Sequence, residues 1–308
     1  MKFDTAGDPV KGCKWTHKTT EKIARELGRA GIRVSSKTVA KLLKEMKYTL
    51  RVNVKRMESG SRKPLDPAVR DRQFRYIKRQ RLAYARQGLP VISVDSKARE
   101  LIGLFHKKGK SWCRDPIEVL DHDFPSDAQG VGIPYGIYDT LRNEAFVCLG
   151  TSCETSEFAV DSIRTWWRKA GRLHYNDAKE MLILADCGGG NGCRVRLWKY
   201  QLQMAFCNPL GLKVRVCHYP PGTSKWNPIE HRVFPFISAN WMGEPIISHE
   251  IMLKRIRTTK TKTGLRVRAC LIDKQYEKKI KISDSQMRRL SLKPYRVHPK
   301  WNYSIRPA

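Results

Sequence analysis

The stretch from Lys213 to Phe234, KVRVCHYPPGTSKWNPIEHRVF, decides how the chain folds. Val214, Val216 and Cys217 lie in a short β-branched run closed by Pro220-Pro221-Gly222, which predicts a buried strand ending in a turn. A helix should follow. Asn227 is a favoured N-cap and Pro228 suits the first helical position, so Glu230 falls in the first turn, where the helix dipole favours its charge. Ile229, Val233 and Phe236 recur at helical spacing and are expected to bury one face, which turns Glu230 toward the C-terminal edge of the strand. Open α/β sheets place their chemistry at that edge.

Two further carboxylates end strand-like runs. Leu89 to Val94 is apolar and ends on Asp95, and Met181 to Ala185 is apolar and ends on Asp186. The three acids are spaced by 91 and then 44 residues. A carboxylate buried at such a position is costly unless a cation or hydrogen bonds compensate it, so a cluster of them points to divalent metal.

Four motifs carry a family resemblance: VDSKARELIGLF from Val94, ADCGGGNGCRVRLW from Ala185, HYPPGTSKWNPIEHRVF from His218 and TTKTKTGLRVRA from Thr258. In this order they resemble the insertion-sequence DDE transposases of the ISAzo-thirteen type, whose domain is also called Rhodopirellula-type. The NPIE element is also similar to that of mariner-like transposases. The resemblance spans nearly the whole chain. It implies that Asp95, Asp186 and Glu230 are the catalytic and metal-binding residues. Asp95 would bridge two Mg²⁺ ions, with Mn²⁺ as a substitute, and the other two acids would each complete one site. The implied reaction is hydrolysis of a phosphodiester at the element's end, followed by attack of the freed 3′-OH on target DNA. No covalent protein intermediate is needed. The implied partners are double-stranded DNA, as terminal repeats and target, and further copies of the chain assembled on that DNA. His231, beside Glu230, could orient a phosphate or water, or be a plain helix-surface residue.

Charge agrees with a nucleic-acid partner. Across 308 residues, 60 Lys and Arg stand against 29 Asp and Glu, a net charge of +31. A surplus of that size calls for a polyanion. With 41% hydrophobic residues the chain can bury a sizeable core. No apolar run approaches membrane-spanning length and no signal peptide precedes the basic start, so the expected location is the cytoplasm, on nucleoid DNA. The nine cysteines include no CxxC pair, and Cys148, Cys217 and Cys270 sit in apolar runs, which favours reduced, packed thiols over a zinc site.

Residues 1–57 read as a helix-turn-helix domain. Ile23, Ala24 and Leu27 mark a helix that Gly31 ends, and Ser36 is expected to cap a second, on which Val39, Leu42, Leu43 and Met46 share a face. Lys37, Lys41 and Lys44 line the opposite side, as a recognition helix against phosphates would; a solvated basic face is the alternative. Relatives of this type carry a further helical region before WTHKTT, a difference that a truncated gene or a misplaced start would explain.

Residues 58–88 are read as a linker, Glu58 to Pro64, and a basic helix that starts at Asp66-Pro67, turns Phe74, Ile77 and Leu82 inward and ends at Gly88. Residues 89–245 form the catalytic core, interrupted by an irregular insertion at 96–132. That insertion holds Trp112 and the trio Asp121-His122-Asp123, which nothing connects to Asp95. The runs at 133–138 and 145–149 flank a polar turn and predict a hairpin, and Phe158, Ile163, Trp166 and Trp167 mark a core helix. The glycine run 188–192 has a shape suited to a phosphate backbone, though it is no P-loop. Residues 246–308 form a basic C-terminal region. Its Arg266 and Arg268, with Lys225, are candidates for DNA-backbone contact.

The order strand-Asp, hairpin, helix, strand-Asp, helix, strand, helix-Glu predicts an α/β fold: an RNase H-like mixed sheet with helices on both faces, preceded by the small helical domain. Two other functions fit the same acids: a nuclease without strand transfer, and an inactive DNA-binding remnant.

Overall fold

The computed structural model of the protein describes residues 5–7, 14–16, 18–50 and 65–308. They fall into two compact units, residues 1–57 and 58–308. The expected linker, Glu58 to Pro64, lies outside the described residues.

In the first unit β1 (Thr5–Gly7) pairs antiparallel with β2 (Lys14–Thr16). Helix α1 (Thr20–Arg29) is capped by the Thr19 hydroxyl, which accepts from the Lys22 N–H at 3.2 Å. It ends where Gly31 takes a left-handed φ of 87°, the Gly31 N–H bonding Gly28 O and the Ile32 N–H bonding Leu27 O. Helix α2 (Ser36–Glu45) is capped by Ser35, not Ser36; the Ser35 hydroxyl accepts from the Thr38 N–H at 3.1 Å. The expected apolar face is only partly inward. Ile23 and Val39 are buried, whereas Leu42 and Met46 are exposed. Two ten-residue helices enclose a narrow stripe, and Leu42 and Met46 fall outside it.

The second unit opens with α3 (Pro67–Arg86), capped by Asp66, whose carboxylate accepts from the Ala68 N–H at 2.9 Å. Its inward stripe is Gln73, Tyr76, Ile77, Gln80 and Tyr84, and Leu82 is exposed. Ile77 turns inward as expected, but the glutamines that share its stripe carry no apolar signal: Gln73 Nε2 donates to His218 O at 2.8 Å, and the Gln80 side chain accepts from Arg215.

Next come β3 (Val91–Ser96), β4 (Glu100–Ile102), β5 (Gly130–Asp139) and β6 (Glu144–Gly150). Helix α4 (Ser156–Trp166) continues through a wider turn at Trp167–Gly171 into α5 (Arg172–His174). After β7 (Glu180–Ala185) lie α6 (Arg196–Gln201), a second wide segment at Leu202–Cys207 and α7 (Asn208–Leu210). Then follow β8 (Lys213–His218), α8 (Pro228–Arg232), α9 (Phe234–Ala239), α10 (His249–Arg257), β9 (Arg266–Ile272), α11 (Asp284–Arg288), β10 (Leu292–Pro294) and β11 (Asn302–Ile305).

The strands form one nine-stranded mixed sheet in the order β10-β11-β8-β7-β3-β5-β6-β9, with β4 pairing β5 off that path. At its centre β6-β5-β3 are antiparallel, and β7 and β8 run parallel to β3. This is the RNase H-like arrangement. One face is covered by α4 and α6, where Phe158, Ile163, Trp166, Trp198 and Phe206 meet Ile92, Val94, Ile183 and Val216. The other is covered by α3 over β3, β7 and β8, and by α8, α9 and α10 over β5 and β6. Successive residues of a strand alternate between the two faces, as the pleat requires.

The C-terminal region does not stand beside the core. Strand β9 adds to one edge of the sheet, and β10 and β11 add to the other, so residues 246–308 complete the same unit. The insertion at 96–132 is likewise tied in by β4, and its Asp121, His122 and Asp123 are exposed.

Candidate active site

Asp95 and Asp186 are brought side by side by strand register. β3 and β7 are adjacent and parallel, with Ser93 opposite Leu184; two residues further along the same register, Asp95 stands beside Asp186. Strand spacing at such a step is about 4.8 Å. Glu230 arrives from the first turn of α8 and is within hydrogen-bonding reach of Asp95. The three acids expected from the sequence therefore share one site, while His231 is exposed on the helix surface.

The helix bearing Glu230 is fixed to β3 by an exchange of hydrogen bonds. Asn227 occupies the N-cap position but its side chain does not cap the helix. Instead its Nδ2 donates to Val94 O at 3.0 Å, and its Oδ1 accepts from the Ser93 hydroxyl at 2.6 Å. The Ser93 oxygen in turn accepts the Ile229 N–H at 3.0 Å, so the strand caps the helix. The expected helix is also broken. Val233 leaves helical geometry (φ −126°, ψ −59°) and a new helix starts at Phe234 with Pro235 in its first turn; the new phase turns Phe234 and Ile237 inward and leaves Phe236 exposed.

Burial acts on all three acids, and repulsion from neighbouring carboxylates on Asp95 and Asp186. Asp95 is 8% exposed, and burial, then the charges of Asp186 and Glu230, push its carboxyl up to about 8 against the opposing Ser96 N–H and Asn227. Asp186 is pushed up to about 6, mainly by burial and also by Glu230 and Glu154, against hydrogen bonds from Gly188 and Asn191. Glu230 is raised by burial, and the Lys97 charge opposes the shift. Like charges crowded out of water are the condition that a divalent cation relieves.

The surroundings fit such a cation. The donors are carboxylate oxygens, and three more oxygens beside them are buried without a hydrogen-bond partner: Ser96 Oγ, Tyr135 OH and Asn191 Oδ1. Tyr135 feels the charges of Asp95, Asp186 and Glu154, and Asn191 Nδ2 lies 3.4 Å from Asp186 Oδ1. Among the described residues no three His, Cys, Asp or Glu side chains are grouped so as to enclose a single ion.

Several of these groups have no signal in the sequence. Glu154 is exposed at the start of α4 and accepts from the Gly190 N–H at 3.4 Å. Lys97 is nearly buried, with its ammonium 2.6 Å from Glu100 and 4.6 Å from the Trp241 ring. Within the glycine run, Gly188 and Gly189 are exposed, whereas Gly190 and Gly192 pack against the chain. A Cβ on Gly190 would stand 2.8 Å from Thr155 C, and one on Gly192 would stand 2.9 Å from Cys187 O. The Gly188 N–H serves Asp186 at 3.2 Å.

Lys37, Lys41 and Lys44 are exposed on one side of α2. Lys225 is exposed, 5.7 Å from the ring of the half-exposed Trp226. Arg268 is exposed on β9, and Arg266 is paired with Glu144 of β6. The eight described cysteines are free. No described helix is long and apolar enough to cross a membrane.

A family model described as the Rhodopirellula transposase DDE domain matches residues 1–307. No curated protein matches the chain. Among solved structures it is similar to a Mos1 transposase paired-end complex with left transposon end, at 15% identity and a TM-score of 0.44, covering 77% of this chain and 65% of that one. A Mos1 mariner paired-end complex with Mn is similar at 17% identity and a TM-score of 0.42, and a Mos1 strand transfer complex at 14% and 0.44. The chain thus spans about 65% of the first of these proteins, and its fold assignment rests on the strand order rather than on these likenesses. With the family model covering essentially every residue, the chain belongs to the Rhodopirellula transposase DDE domain family.

Proposed function

We propose that the protein is the DDE transposase of a bacterial insertion sequence, cutting a phosphodiester at each element end and joining the freed 3′-OH to target DNA. The observation that carries this reading is the meeting of Asp95, Asp186 and Glu230 at one site from β3, the end of β7 and α8. Asp95, Asp186 and Glu230 would together hold two Mg²⁺ ions, with Mn²⁺ as a substitute. Bound there, the ions would activate water and stabilise the leaving oxygen. The protein's own part is to hold the acids in place: Ser93 and Asn227 fix Glu230 to β3, and the Gly188 N–H and Asn191 orient Asp186. The test is incubation with duplex carrying the element's terminal repeat, with and without Mg²⁺. Nicks leaving 3′-OH ends, followed by joined products, are expected only with the ion. Nicks without joined products would favour a nuclease; no nicks would leave a DNA-binding remnant.

DNA would be held by charge spread over both units. Exposed Arg72, Arg75, Lys78, Arg79, Arg81 and Arg86 cover the outer side of α3, and Arg268 on β9 and Lys225 are further exposed cations of the second unit. Binding to duplex should therefore weaken steeply as salt rises, through counterion release. Recognition of the element's end is assigned to α2, whose Lys37, Lys41 and Lys44 fall at i, i+4 and i+7. Replacing all three by Glu should weaken binding to terminal-repeat DNA by about tenfold or more, yet weaken random duplex far less, in competitive binding at fixed salt. Equal losses on both DNAs would make α2 a solvated basic face and place end recognition elsewhere.

A further inference from the structure

We propose that His218 and Tyr303 are positioning residues for Asp186, which makes the C-terminal strand β11 part of the active site. The inference rests on the reading of Asp186 as a metal-holding acid.

β7 ends at Ala185, whose ladder partner on β8 is His218, so the strand pairing stops one residue short of Asp186. The Ala185 carbonyl is still held, by the Tyr219 N–H at 2.8 Å. For Asp186 itself the His218 ring takes over: Nδ1 lies 2.7 Å from the Asp186 main-chain oxygen. A carbonyl only accepts, so Nδ1 carries the ring proton and Nε2 is left as an acceptor. Nε2 is 3.0 Å from the Tyr303 hydroxyl, which must then donate to it. The Tyr303 oxygen accepts from the Trp198 indole N–H, a donor only, at 2.9 Å.

Every proton along this path is thereby placed, and the path runs one way, from Trp198 through Tyr303 and His218 to Asp186. All three side chains are fully buried or within 1% of it, so water does not compete. The His218 main chain is pinned as well, its N–H donating to Trp301 O at 2.9 Å and its carbonyl accepting from Gln73 at 2.8 Å. Tyr303 reaches this place because β11 pairs with β8, with Tyr303 opposite Val216 and Asn302 opposite Cys217. Groups that orient a metal-holding residue without touching the metal commonly change affinity or activity by about 10- to 100-fold when removed.

The test is Tyr303→Phe, which deletes only the hydroxyl, against Tyr276→Phe as a control. Tyr276 is a buried phenol of the same core layer whose hydroxyl bonds Asp161 at 2.9 Å and has no bond to the acid cluster. Both variants are compared at a temperature at which thermal unfolding shows them folded. Cleavage of terminal-repeat DNA gives kcat and KM, and free Mn²⁺ followed by electron paramagnetic resonance gives the binding midpoint of the intact chain. Tyr303→Phe should lower kcat and raise the Mn²⁺ midpoint by about tenfold or more with KM for DNA little changed, while Tyr276→Phe leaves both within about twofold. Should Tyr303→Phe fail to fold, His218→Asn, which keeps an N–H where Nδ1 stands, is compared with His218→Leu: a tighter Mn²⁺ midpoint for Asn is expected. A folded Tyr303→Phe protein with wild-type kcat and midpoint overturns the proposal, as do equal losses in the paired variants. If the wild type binds Mn²⁺ yet cleaves no DNA, the functional reading fails, and the midpoints still decide whether Tyr303 positions Asp186.

Discussion

Asp95→Asn is expected to remove metal-dependent cleavage, by on the order of 10⁴-fold, and at the same time to stabilise the metal-free protein above about pH 6. The two effects have one origin. Asp95 sits where burial and two neighbouring carboxylates oppose its charge, and its carboxyl is pushed up to about 8. A carboxyl whose pKa is raised on folding favours the folded state while it is protonated. That contribution is complete below its unfolded value, near 4, and is lost as pH climbs toward 8. Wild-type stability without divalent ions should therefore decline over this window, by on the order of a few kcal/mol. Asparagine cannot ionise, so the variant should lose most of that slope. Asp186→Asn should flatten a narrower span, between about pH 4 and 6, because Asp186 is raised only to about 6. Mg²⁺ should raise the wild-type unfolding temperature at pH 8 and leave that of Asp95→Asn nearly unchanged. The measurements are thermal unfolding against pH, with and without Mg²⁺, beside the cleavage assay. Wild-type-like cleavage by Asp95→Asn would remove the residue from the site, and parallel pH profiles would contradict the crowding of charge described for it.

The three acids were legible because each follows a signal that survives without tertiary context. Asp95 and Asp186 end apolar runs of strand length, and Glu230 follows an Asn-Pro helix start. The sheet and its two covered faces follow from the order of those elements. What could not be read is what the acids rest on. Ser93 looks like any serine in a strand, yet it caps α8, and Asn227 looks like a helix cap, yet its side chain bonds β3. These bonds join residues more than a hundred positions apart, which no local pattern encodes. The same limit explains Leu82: beside Ile77 the inward stripe of α3 holds Gln73 and Gln80, satisfied by distant partners, and at Leu82 hydrophobicity points to the wrong residue. The ending WNYSI is a strand too short to show periodicity, and its place becomes evident only when Tyr303 is seen to reach His218. A glycine run signals close approach, but the sequence does not say of what; for Gly190 and Gly192 it is Thr155 and Cys187.

Gly136→Ala is expected to cut cleavage by about 10²-fold at a cost of only ~1–3 kcal/mol in stability, because it acts on where Glu230 stands rather than on any acid. Gly136 lies opposite Asp95 in the β3–β5 ladder, and α8 and α9 rest directly on it. A Cβ at that position would lie 2.5 Å from Ile229 Cδ1 and 2.8 Å from Phe234 Cε1, nearer than such atoms approach. Neither side chain has room to yield: Ile229 is fully buried and Phe234 is 5% exposed. Relief must come from lifting α8, which strains the bond from the Ile229 N–H to Ser93 and moves Glu230, the next residue, away from Asp95. A displacement of about 1 Å suffices for a loss of that size. The mechanism makes a second demand. Ile229→Val deletes the Cδ1 atom that the new methyl would strike, so it should be mildly harmful alone and restorative with Gly136→Ala. The double variant should then cleave faster than Gly136→Ala by about tenfold, a coupling expected only of residues in contact. Cleavage rates and unfolding free energies of the four proteins close the cycle. If the two substitutions prove additive, contact between β5 and α8 is not what sets Glu230 in place, and the 10²-fold loss would need another cause.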